Sequence, residues 1–399
     1  MINWLSLGTI FVWSSSILAR NSTSGNSTES NEASSNLDFG PINFAGYTNY
    51  VYRDNVTSVQ ILLTDTSSSY IPSRFITAFP HGNNGALVYF VPLNSTHSNS
   101  PSNASGNSTL HTTALGATLN FSSVSSVNQE YNQTGVTGEI SVSADLQFGV
   151  TLIGGVRTLR DYVESGGTVF HSIFNYTLGP YNDSSVTLIR HWINGSTVQY
   201  FQWDTVSNAN ISVIPNSNAT IPPNITITRP DQSSNATIRF TFIYNFTETT
   251  PVTPYVPLIG LGREQLFLTE AANGSAPALQ SVLTSIQENG SAIADQTAFL
   301  AYESKFLAGG WRFLTYFGRD TMLALRLLLP VISTTSAESI LGAVLERANE
   351  TGTLCHEETV GDYASFINIG NNQSYLGNTP YYSYIMLDTD FLLLPVLSE

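Results

Sequence analysis

Cysteine is almost missing from this chain: Cys355 is the single one in 399 residues. No internal disulfide can form, so the chain folds on its apolar core alone. Nothing in the sequence around Cys355 resembles a base with an orienting partner, and the residue reads as a small buried apolar group rather than a nucleophile. Charge is scarce too. Acidic and basic side chains number 29 and 14, only 11% of the chain, with a net charge of -15. The shortage of Lys and Arg excludes nucleic acid as a partner, because phosphate contacts need clustered cations. The same shortage argues against an anionic membrane surface. Beyond residue 20 no stretch is long and apolar enough to span a bilayer.

Ser, Thr and Asn take the place of charge on the surface. About twenty N-x-S/T sequons are spread along the chain, among them Asn21, Asn55, Asn107, Asn175, Asn194, Asn218, Asn245 and Asn349. The first residues read as a signal peptide over 1–19, with a short apolar core from Trp4 to Trp13 followed by SSSILA, ending at Ala19. A secreted, N-glycosylated protein is therefore expected. Residues 20–40 are polar and low in complexity, and read as a spacer.

Residues 41–250 read as an antiparallel β-sandwich. Ile140, Val142, Ala144, Leu146, Phe148, Val150 and Leu152 alternate with mostly polar neighbours, which predicts one strand over 140–152. Ile238, Phe240, Phe242, Tyr244 and Phe246 predict another. Asn194-Gly195 between two apolar-rich arms predicts a tight hairpin with positive φ at both residues. The Pro-rich stretch near 248–257 marks the change of domain, with a linker over 251–275. From 276 to 399 the period becomes helical. Ile293, Leu300 and Leu307 recur every seven residues. Ser336 is placed to cap a helix carrying Ile340, Leu341, Val344 and Leu345, and the segment from Thr321 to Val331 is apolar almost all round, which predicts burial on most sides.

Three segments can carry chemistry. In GGWRFLTYFGRDT, Trp311, Tyr316 and Phe317 precede Arg319 and Asp320. Asp320 either caps the helix that follows or joins Arg319 in gripping sugar hydroxyls, for which planar charged groups and flat aromatic faces are suited. In CHEETVGD, His356, Glu357, Glu358 and Asp362 lie close together. The zincin spacing is broken because position 360 is Val, which leaves a solvated acidic loop or an acid, base or hydroxyl-binding group. In PYYSYIMLDTDFLLLP, Asp388 and Asp390 open an apolar helix behind a Tyr cluster.

The order of FGRDT, HEE with a nearby acid, and a Tyr-rich segment ending in an Asp before a Leu-rich helix resembles the six-hairpin glycosidases. Among these it is most similar to the amylo-α-1,6-glucosidase domain of glycogen debranching enzymes. The resemblance covers residues 309–395. It implies a β-sandwich followed by an α/α toroid, of which this chain would hold only the opening hairpins. It also implies a secreted glycoside hydrolase of α-glucosidase or debranching type that acts by inversion on an oligo- or polysaccharide. Such a reaction needs an acid and a base about 6.5–9.5 Å apart, without metal or cofactor. Arg319, Asp320 and Trp311, with Glu357, Glu358, Asp362 and Asp388, would line the sugar subsite, while the acid and base would lie beyond the end of the chain. The family's usual D-A-T-P is D-T-D-F at Asp388. A non-catalytic carbohydrate-binding or cell-surface glycoprotein is the alternative.

Overall fold

Alternating apolar and polar residues form strands from Leu37 onward, and fifteen of these build two antiparallel sheets. The computed structural model describes residues 37–246 apart from 45–46, 54–57, 65–73, 81–82, 94–114, 117–120, 128–131, 154–175, 196 and 218–222, and then residues 267–268, 277–287, 300–302, 305–310 and 313–398. The strands are β1 Leu37–Phe44, β2 Tyr47–Arg53, β3 Ser58–Thr64, β4 Arg74–Phe79, β5 Asn84–Pro92, β6 Leu115–Gly116, β7 Phe121–Val127, β8 Asn132–Val142, β9 Leu146–Ile153, β10 Thr177–Asn182, β11 Ser185–His191, β12 Thr197–Ser207, β13 Asn210–Ile214, β14 Asn224–Thr228 and β15 Ala236–Phe246. One sheet has the order β1-β2-β3-β4-β5-β9-β14-β13, and the other β10-β11-β12-β15-β8-β6, with β7 also on β8. The signal peptide, most of the spacer and most of the linker lie outside the described residues, although β1 begins within the stretch read as spacer.

The two sheets share one core. Ile61, Phe75, Phe90 and Phe148 of the first meet Leu188, Phe201, Trp203 and Phe240 of the second. Trp203 lies at its centre, 5.2 Å from Phe148 and from Phe201 between ring centroids, while Phe75 and Phe240 approach across the sheets to 4.6 Å. Gln60, Leu62, Ile76, Ala78 and Leu87, at the alternate positions of the larger sheet, are buried too. Its central strands are therefore covered on both faces.

The segment expected to be a single strand over 140–152 is divided. β8 ends at Val142, the chain bends through 143–145, and β9 begins at Leu146 in the other sheet. Ile140, Val142, Leu146 and Phe148 are all buried. Both sheets turn their apolar face to one core, so a chain that changes sheets at a corner keeps its alternation. The β11–β12 turn also differs from expectation. Of Asn194 and Gly195 only the glycine has a positive φ, 75°, and the loop is closed by Gly195 N–H to Trp192 O at 2.9 Å and Trp192 N–H to Thr197 O at 2.9 Å. The Gly195–Trp192 bond closes a four-residue turn with Asn194 inside it, so this is not the two-residue loop in which Asn194 and Gly195 would both need a positive φ.

Helices follow: α1 Pro277–Gln287, α2 Gly318–Leu328, α3 Thr334–Glu346, α4 Gly361–Gly370 and α5 Asp388–Leu397. Two short hairpins accompany them, β16 Ala301–Tyr302 with β17 Lys305–Phe306, and β18 Glu357–Thr359 with β19 Tyr381–Ser383. These five helices form no closed ring of hairpins among the described residues. The hairpin β16–β17 stands where the seven-residue apolar spacing predicted a helix; short apolar runs fit either period. Residues 288–299 of that stretch lie outside the described residues. The cap of α3 is Ser333, whose Oγ accepts Ser336 N–H at 3.3 Å, so Ser336 is a buried first-turn donor rather than the cap. α2 stops before Pro330, as expected from proline. It buries Thr321, Met322 and Leu325 against α3 and α5, but Leu323 and Leu327 are 42% and 80% exposed. Burial almost all round is thus not found, because its neighbours pack along one side.

Residues 36–399 form one compact unit. A Cβ on Gly310 would stand 2.7 Å from the Gln60 side chain, so the loop ahead of α2 rests against β3. Among the described residues no helix is long and apolar enough to cross a membrane.

Candidate functional site

The three segments singled out in the sequence lie side by side. Gly318 N–H donates to His356 O at 2.9 Å and Glu358 N–H to Tyr316 O at 3.1 Å, while His356 N–H donates to Ser383 O at 2.8 Å. Phe317 bridges Glu357, which pairs in turn with Ser383. α2 and α5 cross beside this ribbon at Gly318. A Cβ there would meet Thr389 Oγ1 at 2.2 Å and the Cys355 carbonyl oxygen at 2.5 Å. Only glycine allows that approach.

Asp320 and Asp390, acids in the first turns of two of these helices, do not cap their own helices. The N-cap of α2 is Phe317, which makes no side-chain cap bond, and Asp320 binds Arg319 Nη2 at 2.9 Å instead. Asp388 Oδ1 accepts Thr389 N–H at 2.9 Å and lies 2.9 Å from His356 Nδ1, while its Oδ2 is 3.6 Å from Arg319 Nη1. Asp390 Oδ1 reaches across to Leu354 N–H at 3.0 Å. Arg319 is therefore shared between two carboxylates, one on α2 and one on α5. Its side chain is 45% exposed, against 36% for Asp320 and 19% for Asp388. Phe317 meets the His356 ring edge to face at 5.6 Å and Phe313 at 6.3 Å, and Phe313 is exposed. Trp311 lies outside the described residues. Guanidinium and carboxylates in one partly exposed group, with aromatic rings at its edge, can bridge the neighbouring hydroxyls of a polyol by charge-assisted hydrogen bonds.

Glu358 and Asp362 serve the interior. Glu358 is 3% exposed, with both carboxylate oxygens 3.3 Å from Arg347 Nη2. That guanidinium lies 4.8 Å above the Tyr316 ring and donates through Nη1 to Ala343 O at 2.6 Å. Burial works against the Arg347 charge, but Glu358, Tyr382 and Tyr316 around it together outweigh that and its pKa is raised. Burial, reinforced by Glu358, pushes the Tyr382 phenol above its usual value, and burial does the same to Tyr316. Asp362 has no exposed surface. It pairs with Arg190 of β11 and accepts Ile193 N–H at 2.7 Å. Arg190 continues to Gln199 at 3.0 Å, and Gln199 to Asn84 of the other sheet at 2.7 Å. Desolvation lowers the Arg190 pKa and Asp362 opposes the shift. α4 is thus tied to the sandwich by a buried ion pair.

Of the seven site residues read from the sequence, the structure brings Arg319, Asp320 and Asp388 together in one group, with Glu357 on the adjoining ribbon. The sequence reading missed His356 as the link to Asp388 and missed Arg190 and Arg347 altogether. Arg190 had a signal: it follows Val186 and Leu188 on the apolar face of one strand, where a cation needs a buried partner. Among the described residues no group of three or more His, Cys, Asp or Glu side chains could hold a metal ion. No protein-family model matches the chain, and a search of curated proteins finds no significant match.

Proposed function

We propose that the chain recognises carbohydrate in the manner of a secreted glycoside hydrolase of the six-hairpin type, with Arg319, Asp320 and Asp388 as the grip on one glycosyl unit. In this reading the helices from Pro277 onward belong to an α/α-hairpin domain set after a β-sandwich. The observation that carries it is the sharing of the exposed Arg319 guanidinium by acids from two helices, beside Phe317 and His356. Helix capping does not require that arrangement, since neither Asp320 nor the Phe317 side chain makes a cap bond to α2. The general acid and base are left unassigned: Glu358 and Asp362 are engaged in buried ion pairs.

The test is a titration of the chain with maltose, isomaltose, trehalose and an aryl rhamnoside, followed by NMR or calorimetry and by product release. Binding that disappears in Arg319→Ala supports the reading, and bond cleavage assigns the hydrolase. Saturable binding without cleavage assigns a binding protein, which the engagement of Glu358 and Asp362 favours as the second reading. No binding to any of the four refutes both.

A further inference from the structure

We propose that N-linked glycans at Asn182, Asn210 and Asn224 guard the open side of the sandwich against pairing with other strands. This rests on the reading of the chain as a secretory glycoprotein. Among the described residues β13 ends the eight-stranded sheet and β10 the seven-stranded one. The two ends lie together, because Ile211 N–H of β13 donates to Asp183 O, just past β10, at 2.8 Å. That bond shows the N–H of Ile211 pointing away from β14. By the two-residue period of a strand, Val213 points its N–H and C=O the same way. Such an edge is a template for another strand.

Proteins commonly blunt an edge with lysine, proline or an inward-pointing charge. The strand sequences TLGPYN and NISVI contain no charged residue. Pro180 removes one donor from β10, whereas β13 has no proline. What both edges do carry is the acceptor sequence N-x-S/T: Asn182-Asp183-Ser184, Asn210-Ile211-Ser212 and, on the neighbouring strand, Asn224-Ile225-Thr226. All three asparagines are exposed. Asn182 Oδ1 accepts Ser184 N–H at 2.8 Å and Ser184 Oγ at 2.9 Å, which leaves its Nδ2 turned from that turn.

Their register places the sugars where they are needed. Asn210 pairs with Thr228 and Ile214 with Asn224, while Ile211 and Ile227 between them point into the core. Asn210, Ile214 and Asn224 therefore share the outer face. Ile214 is 62% exposed, and it stands directly opposite Asn224, about 5 Å away between Cβ atoms. A glycan on Asn224 rises beside that side chain. Glycans on Asn182 and Asn210 rise one residue from either end of the Ile211–Asp183 hydrogen bond. In the coupling step the asparagine Nδ2 displaces the pyrophosphate of a lipid-linked oligosaccharide. A bond from nitrogen to the sugar C1 forms, the bond from C1 to the phosphate oxygen breaks, and the amide gives up one proton.

The experiment expresses the whole chain in a secreting eukaryotic host. Sites are mapped by glycosidase release in heavy-oxygen water, and molar mass is measured by light scattering. Glycan is expected at all three asparagines. The Ser212→Ala/Thr226→Ala variant keeps both β13–β14 asparagines but loses their acceptor sequences. It should self-associate at about tenfold lower protein concentration than wild type. The Ser196→Ala control removes the Asn194 acceptor sequence and should stay monomeric like wild type. Glycan at Asn194 or Asn349 with none at Asn210 and Asn224 overturns the proposal while the secretory reading stands. Absence of glycan from the entire secreted chain overturns the secretory reading itself. Full occupancy with a variant as monomeric as the control overturns the guarding role.

Discussion

Removing the Asp362 carboxylate should loosen the helical half of the molecule from the sandwich. The ion pair joins two side chains with 1% and 0% of their surface exposed, so solvent screening offers no relief. In Asp362→Ala, Arg190 loses its carboxylate while keeping the Gln199 oxygen at 3.0 Å, and Ile193 N–H loses the acceptor at 2.7 Å. Breaking one side of a buried pair costs about 3–5 kcal/mol, and this includes the charge left behind. Asp362→Asn retains the bond to Ile193 but strands the same cation, so its loss should be about 1 kcal/mol smaller. Arg190→Met with Asp362→Leu replaces both charges by apolar groups and should recover most of the loss, because desolvation of both ions is then removed. Urea unfolding followed through Trp192, buried next to the pair, measures each variant. An Asp362→Ala protein within about 1 kcal/mol of wild type, or a double variant no better than the single ones, would refute this reasoning. If Asp362 instead met substrate, stability would hold and glycan binding would fall.

Asp320→Asn should lower carbohydrate affinity tenfold or more with stability unchanged to within about 0.5 kcal/mol, since Asp320 caps nothing and is 36% exposed; calorimetry and thermal melts check both halves. Gly318→Ala should cost about 3 kcal/mol or more, because its methyl group meets the Cys355 carbonyl at 2.5 Å and backbone cannot swing aside; urea unfolding reads the loss. Tyr316 and Tyr382 have pKa values raised by burial. The folded state then keeps protons that the unfolded chain releases above about pH 10, so this stability is intact below that pH and falls as pH rises beyond it. A phenolate titration at 295 nm should show Tyr316 ionising only when the chain unfolds and Tyr382 ionising later than an exposed tyrosine, and early ionisation of all tyrosines would count against it. Leu327→Ser, at a position 80% exposed, should leave stability within about 0.5 kcal/mol by urea unfolding.

Much of the strand pattern was legible because period two needs no partner to be seen. Ile238, Phe240, Phe242 and Tyr244 alternate in the chain and are buried in the core of the sandwich. The same regularity concealed the corner at 143–145, since alternation reports which face is apolar and not which sheet the strand has joined. Glycine and proline signals held where the cause was local, as at Gly195 and before Pro330. The apolar spacing over 300–307 did not, because a seven-residue repeat in a short segment is met as well by a hairpin packed on a neighbour.

At the candidate site, the sequence determined which residues carry charge near the start of α2, α4 and α5: Arg319 and Asp320, Asp362, and Asp388 with Asp390. Their division of labour is a matter of distance across the fold. Asp362 and Asp388 look alike in sequence, each an acid opening a helix. One faces Arg190, 172 residues earlier, and is sealed, while the other faces His356 and Arg319 and remains partly open to water. A carboxylate has the same chemistry wherever it stands. Only tertiary structure sets which cation meets it and how much water is left, and these two quantities decide whether it holds the fold together or is free to grip a ligand.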